Sequence, residues 1–187
     1  MNNILHELPL LSDISNCKDS LARSFNFTFR YIDDVRSLNN SRFGDFGDRI
    51  YPIELEIKDT TDTYRSASYL DLHLKIDSEG RLRTKLYDKW DDFNFLIVNF
   101  PCINSNIPVT PAYGVYISQL RRYSRACGSY QDFLDRGLLL TRKLLNQGLL
   151  FVKLKSLLRK FYGRHHDMVD RYGIYVSQMT TDMFHLS

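Results

Sequence analysis

The first clear pattern along the chain is an alternation of aromatic and polar residues over residues 24–32. The aromatic residues fall on one face of an extended backbone: Phe25, Phe27, Phe29 and Tyr31. A period of two residues is typical of a half-buried β-strand. We therefore expect a strand here, with its aromatic face in the core.

A shorter strand-like run covers residues 35–38, so Asp33 and Asp34 fall in the turn of a predicted hairpin. Neighbouring residues inside a strand point to opposite faces, whereas at a tight turn both side chains can reach a common site. Two carboxylates held that close repel each other unless a cation lies beside them, and oxygen ligands suit Mg²⁺. The alternative is an ordinary solvated turn, because Asp is common in turns.

Further alternation predicts a strand over residues 54–58, and residues 40–48 read as a loop or a short helix. Residues 69–76 alternate again, and Ser78-Glu79-Gly80 supplies a turn into a return strand over residues 81–87. That return strand places its basic residues on one face. Such a basic face suits contact with a phosphate backbone, and it is also an ordinary way to protect an exposed sheet edge.

Helical spacing begins after the prolines of the middle segment. Thr110 is the predicted cap of a first helix, Gly128 its end, and Ser129 with Asp132 forms a variant of the capping box for a second helix. Gly148 ends the second helix, and a third covers residues 150–162. Residues 172–187 are open to three interpretations, namely a strand, a short helix on the bundle, or the start of another domain.

Charge is distributed unevenly, although the total is only +3. Residues 1–80 carry 9 Lys and Arg against 14 Asp and Glu, whereas residues 81–187 carry 16 against 8. An acidic half with a cation site followed by a basic half suits a protein that contacts a phosphate backbone. A solvated basic helix face is the alternative.

Composition indicates a folded chain: it has 187 residues, 43% of them hydrophobic and 13% aromatic. No membrane-spanning run or secretion signal is recognisable, so we expect an intracellular protein, nuclear or cytoplasmic, with no membrane partner. Cys17, Cys102 and Cys127 are read as reduced packing residues, and His165-His166 as surface residues.

Three segments resemble the reverse transcriptases of Penelope-like and related non-viral retroelements. The segment Phe29-Arg30-Tyr31-Ile32-Asp33-Asp34-Val35 is similar to the palm motif that carries two catalytic acids. Ser68-Tyr69-Leu70-Asp71-Leu72 resembles the strand that follows it, and residues 81–89 resemble the next hairpin, which opens toward the primer. The resemblance covers roughly residues 24–162 and implies an α+β fold of antiparallel palm hairpins followed by a small helical thumb bundle.

The resemblance implies RNA-templated DNA synthesis by two-metal nucleotidyl transfer. Asp33 and Asp34 would be catalytic ligands of Mg²⁺ or Mn²⁺, and Tyr31 would line the nucleotide site. The partners would be an RNA template, a DNA primer and deoxynucleotides. Contacts with nucleic acid are predicted for six residues: Arg83, Lys85, Lys89, Arg121, Arg122 and Arg125.

The family's other catalytic Asp, its nucleotide-pocket helix and its fingers have no recognisable counterpart before residue 24. We therefore expect a fragment of such an enzyme, with residues 1–23 of unclear structure, 24–100 a partial palm and 101–187 a thumb-like region with a tail. Its partner could be the missing upstream polymerase part. The other hypotheses are a noncatalytic nucleic-acid-binding or assembly remnant, and a decayed sequence without function.

Overall fold

A computed structural model describes residues 23, 25–38, 40–52, 54–63, 65–93, 100, 102–106 and 108–184, with the backbone alone for residues 47–50 and 90. These residues form a mixed α+β structure with two small antiparallel sheets and six α-helices. The predicted α+β class is confirmed at this level. Nearly all of the predicted N-terminal segment, residues 1–23, and Cys17 lie outside the described residues. The chain divides into two compact units, Met1–Thr61 and Asp62–Ser187.

The first unit contains a two-stranded hairpin and one helix. Strand β1 is Thr28–Tyr31, β2 is Asp34–Ser37 and helix α1 is Phe43–Ile50. The two strands pair in register from Thr28 opposite Ser37 to Tyr31 opposite Asp34.

The predicted strand over residues 54–58 is wrong, because this segment forms no ladder and exposes Leu55 and Ile57. An alternation of acids with aliphatic residues is therefore not enough to form a strand when no partner strand pairs with it.

The second unit begins with a three-stranded sheet in the order β3-β4-β5. Strand β3 is Ser66–Tyr69, β4 is Leu72–Ile76 and β5 is Leu82–Leu86. The prediction of one strand over residues 69–76 is wrong, because a turn at Leu70-Asp71 separates β3 from β4. Apolar and polar residues happen to alternate through this turn as well, so the sequence pattern alone does not reveal it.

Five helices follow the sheet: α2 is Val109–Ala126, α3 is Tyr130–Asn146, α4 is Phe151–Arg164, α5 is His166–Val169 and α6 is Val176–Phe184. Single turns of 3₁₀-helix cover Lys89–Asp92 and Asp170–Tyr172. The predicted bundle of three helices is present as α2, α3 and α4. Of the three interpretations of the tail, its described part forms a short helix on the bundle, with Met179 and Met183 fully buried.

The helix ends follow local chemistry. Ser129 caps α3, since its hydroxyl accepts the backbone N–H of Asp132 at 3.2 Å. Gly148 follows α3 with a φ of 87°, a conformation in which other residues are strained. The predicted cap Thr110 is wrong, because α2 begins at Val109 and Pro108 occupies the cap position.

The core of the second unit is apolar and joins the sheet to the helices. Phe133 of α3 and Phe161 of α4 are fully buried with their ring centroids 6.4 Å apart, and Leu86 of β5 belongs to the same cluster. Arg136 of α3 donates to the carbonyl oxygen of Leu86 at 3.2 Å and pairs with Asp91. The second hairpin thus packs with the helices, whereas the sequence grouped it with residues 24–100.

The loop after α5 supports the end of α2. The guanidinium of Arg171 donates to the carbonyl oxygens of Ser124 and Cys127, and the Tyr172 hydroxyl donates to that of Cys127 at 2.8 Å. These carbonyls have no partner inside the helix, so the two side chains act as a C-terminal cap.

Candidate metal-binding hairpin and basic surfaces

The tip of the first hairpin is a two-residue turn, Ile32-Asp33, closed by the pair Tyr31 and Asp34. Ile32 has a φ of 52°, which is unusual for a β-branched residue and costs on the order of 1 kcal/mol or more. The Nε of Arg30 donates to the carbonyl oxygen of Ile32 at 2.8 Å and braces the turn. The predicted hairpin is present, but the prediction that both acids lie in its turn is wrong for Asp34, which is the first residue of β2. The positive φ of Ile32 was not predicted either.

The two acids of the tip occupy neighbouring positions of different kinds. Asp33 is the second turn residue and Asp34 is the first residue of β2, and both are exposed. Among the described residues, neither carboxylate has a basic partner within ion-pair distance. The charge of both carboxylates is therefore left to solvent or to a cation.

A hydrated divalent ion fits this donor set in part. Mg²⁺ is commonly held by one or two carboxylates while it keeps several waters, and Asp33 and Asp34 supply two such groups. The described part of the chain contains no group of three His, Cys, Asp or Glu side chains that could hold a metal ion. His165 and His166 were read as surface residues; His166 is exposed and His165 is half-buried.

The aromatic face of the first hairpin is not in the core, which corrects the expectation from the sequence. Phe27 is 59% exposed, Phe29 40% and Tyr31 54%. Only Phe25 is buried, and its ring lies 6.5 Å from that of Phe43 in α1. The strand is shorter than predicted, because residues 25–27 form a turn, and a two-stranded ribbon alone does not bury a face.

Arg36 stands on β2 opposite Phe29. Its guanidinium lies 4.8 Å from the centre of the Phe29 ring, a cation–π contact. Such contacts contribute about 0.5–1 kcal/mol at exposed sites. The charged residue thus covers part of the aromatic face.

The second unit contains a turn of the same kind. Leu70-Asp71 is closed by the pair Tyr69 and Leu72, and Leu70 has a φ of 56°. Both turns read Tyr, aliphatic residue, Asp, but the second has Leu72 where the first has Asp34. Asp71 is also paired, because its Oδ2 lies 3.2 Å from the Nε of Arg122 on α2.

The predicted contact residues of the second hairpin differ in how their charge is balanced. Arg83 donates to Asp77 at 3.0 Å, and the Arg81 backbone N–H holds the pKa of that half-buried carboxyl below its usual value. Lys85 and Lys89 are exposed and form no ion pair with described residues. Lys89 lies on the 3₁₀ turn that Arg136 ties to α3 through Asp91.

The three predicted arginines of α2 all lie on its exposed side. Arg122 is engaged by Asp71, whereas Arg121 and Arg125 have no ion pair within the described chain. The opposite side of α2 is buried, and burial raises the pKa of Tyr123 to about 12. The helix therefore presents a basic face whose free charge comes from Arg121 and Arg125.

Sequence reasoning missed two side chains of β4. Lys75 and His73 lie on the same face of the sheet as Arg83 and Lys85, directly opposite them in the β4–β5 register. The signal was present, because alternation places His73 and Lys75 on the face opposite Leu72 and Leu74. The missing step was the pairing register, which local sequence does not specify.

Cys102 and Cys127 are both free thiols, and burial raises the pKa of the Cys127 thiol. A buried thiol with a raised pKa is poorly reactive. This agrees with the packing role expected for Cys127, whereas Cys102 is only half-buried.

No family model, curated protein or solved structure matches the chain. None of the helices in the described ranges combines the length and hydrophobicity that a membrane crossing requires.

Proposed function

We propose that the chain is the palm-hairpin and thumb part of a reverse transcriptase of the Penelope-like or a related non-viral type. The observation that carries this proposal is the first hairpin tip, where Asp33 and Asp34 are exposed at or beside a braced turn and have no basic partner among the residues that the structure describes. The motif resemblance in the second hairpin and the helical second unit support it. The proposal makes the ancestral reaction the addition of deoxynucleotides to a DNA primer on an RNA template.

In this proposal Asp33 and Asp34 hold the divalent ion. Mg²⁺, or Mn²⁺ in its place, would activate the attacking oxygen and stabilise the leaving phosphate oxygen. Tyr31 closes the same turn and exposes its ring, so it offers an apolar surface beside the acids for a nucleotide. Arg30 keeps the turn in shape through its hydrogen bond to Ile32.

The basic residues of the second unit would hold the template–primer duplex. Phosphate contacts give affinity without sequence preference and make binding sensitive to salt. Because Arg83 and Arg122 are paired with Asp77 and Asp71, we expect the main contribution from the cations that form no ion pair with described residues: Lys85, Lys89, Arg121 and Arg125.

A noncatalytic nucleic-acid-binding role is the second candidate. It is favoured by the lack of a third metal ligand near the acids within the described residues. In this case the basic surfaces would still bind duplex, and the acids of the tip would have no catalytic part.

Primer extension separates the two candidates. The chain is incubated with an RNA template, a labelled DNA primer, deoxynucleotides and Mg²⁺, and Asp33→Asn is compared with the control Asp45→Asn, which removes an exposed acid of α1. The first candidate predicts extension that Asp33→Asn lowers by at least about 100-fold while the control retains it, since a ligand of the reacting centre is lost.

Duplex binding measured at 50 and 200 mM salt completes the test. Binding that weakens steeply with salt, without extension, would favour the noncatalytic candidate. Extension that survives Asp33→Asn would contradict the assignment of the acids. If the chain shows no primer extension and no salt-sensitive binding, both candidates are contradicted.

A further inference from the structure

The three-stranded sheet of the second unit has one apolar and one basic face. Leu72, Leu74 and Ile76 of β4 share the face that includes the buried Leu86 of β5. The opposite face carries His73 and Lys75 on β4, with Arg83 and Lys85 on β5. We call these four residues the basic sheet face.

The register places like charges directly opposite each other on this face. Lys75 is paired with Arg83, and His73 with Lys85. Cross-strand side chains at paired positions lie about 5 Å apart, and like charges there destabilise a sheet. Asp77 compensates Arg83 at 3.0 Å, but Lys75 and Lys85 have no ion pair within the described residues.

His73 lies between the two uncompensated lysines. Its pKa is below the usual 6.5, first because the ring is partly buried, then because Lys85 and Lys75 repel the protonated form, with Asp62 acting in the opposite direction. Ser68 of β3 is its neutral cross-strand neighbour. These effects together favour the neutral form of the imidazole in the free protein.

We propose that the basic sheet face binds the phosphate backbone of the duplex through Lys75 and Lys85, and that His73 takes up one proton from solvent when the phosphates arrive. This inference rests on the proposed nucleic-acid-binding function and deepens it. Phosphates placed between the lysines cancel the repulsion that keeps His73 neutral. The protonated ring then adds a third positive charge to the site.

The proton uptake makes affinity depend on pH. Binding tightens as the pH falls through the range where bound His73 is protonated and free His73 is neutral. A rise of about one unit in the pKa of His73 on binding corresponds to at most a tenfold gain in affinity. The phosphodiester groups do not titrate in this range, so the protein supplies the change.

The test measures affinity for a fluorescein-labelled RNA–DNA duplex at pH 7.5 and pH 5.5 and constant ionic strength. The unmodified chain should bind the duplex several-fold more tightly, up to about tenfold, at the lower pH. His73→Gln should lose most of this gain. His166→Gln, which removes an exposed histidine of α5, should keep it.

Two further readouts fix the origin of the effect. The ring signals of His73 in carbon–proton NMR spectra should titrate about one unit higher with the duplex bound than without it. Lys75→Gln and Lys85→Gln should each weaken binding more than Arg83→Gln, since Arg83 is compensated by Asp77.

Duplex binding with an unchanged His73 titration, or with equal pH gains in the unmodified chain and His73→Gln, would overturn this inference and leave the proposed function standing. Absence of any duplex binding at either pH would overturn the inference together with the nucleic-acid-binding function.

Discussion

Ile32 and Leu70 give the two hairpin tips nearly the same backbone, with φ values of 52° and 56°. In both turns an aliphatic residue occupies a position for which Gly is usual in tight hairpins. The difference lies in the acids, because Asp33 has a second acid beside it and Asp71 has Arg122. Among the described residues, the same turn thus carries two acids without an ion-pair partner in one unit and an anchored ion pair in the other.

The Asp71–Arg122 pair predicts a gain of function. Asp71→Asn should release Arg122 for phosphate contact, so duplex affinity should rise a few-fold. The slope of log affinity against log salt concentration should steepen by up to the amount expected for about one additional phosphate contact. The affinity is measured by fluorescence anisotropy between 50 and 200 mM salt. Asp167→Asn, which removes an exposed acid of α5 that has no ion pair in the described chain, is the matched control.

Unchanged affinity and salt slope in Asp71→Asn would show that Arg122 does not reach the duplex. A loss of binding would mean that the ion pair itself positions the basic face of α2.

Candidate residues could be predicted from sequence only as far as local chemistry defines them. Asp33 and Asp34 were found because the flanking alternation predicts a hairpin that turns near them, although only Asp33 is a turn residue. The exposure of Tyr31 and Phe29 could not be predicted, since alternation indicates a half-buried strand but does not provide the layer that covers it. The compensation of Arg83 and Arg122 depends on contacts between elements, or across a turn, that single positions do not reveal.

At the scale of elements, Arg136 is a polar link between the sheet and the helices. It donates a hydrogen bond to the carbonyl oxygen of Leu86 and forms an ion pair with Asp91. One half-buried side chain of α3 thus contacts both β5 and the 3₁₀ turn Lys89–Asp92. We expect Arg136→Ala to lower the free energy of unfolding by about 1–3 kcal/mol, because hydrogen bonds to charged groups contribute about that much.

Urea unfolding followed by circular dichroism measures this difference. Arg142→Ala on the exposed side of the same helix should change stability by less than about 0.5 kcal/mol. Equal effects of both substitutions would show that the link contributes no more than a surface charge.

Helices were easier to predict than strands, for physical reasons. Ser129, Gly148 and the spacing of apolar residues determine helix ends and faces locally, so α2, α3 and α4 differ from their predicted spans by only a few residues. Strands depend on partners, which is why residues 54–58 form none and residues 69–76 split in two.

At the scale of the whole chain, the division into two units matches the distribution of charge: the first unit is acidic and the second is basic. The unit Met1–Thr61 carries 7 Lys and Arg against 10 Asp and Glu and contains the hairpin with Asp33 and Asp34, whereas the unit Asp62–Ser187 carries 18 against 12 and contains both basic surfaces. A protein that binds metal ions with one unit and phosphates with another is consistent with this division.

The central claim is that Asp33 and Asp34 bind a divalent cation, and Mn²⁺ titration monitored by nitrogen–proton NMR tests it most directly. Mn²⁺ broadens nearby amide signals, and the tip at Asp71 serves as an internal control with the same turn and a paired carboxylate. We predict that the signals of Asp33 and Asp34 broaden first, that Asp71 is spared, and that Asp33→Asn removes the effect. Equal broadening at both tips, or none at Asp33 and Asp34, would contradict the claim.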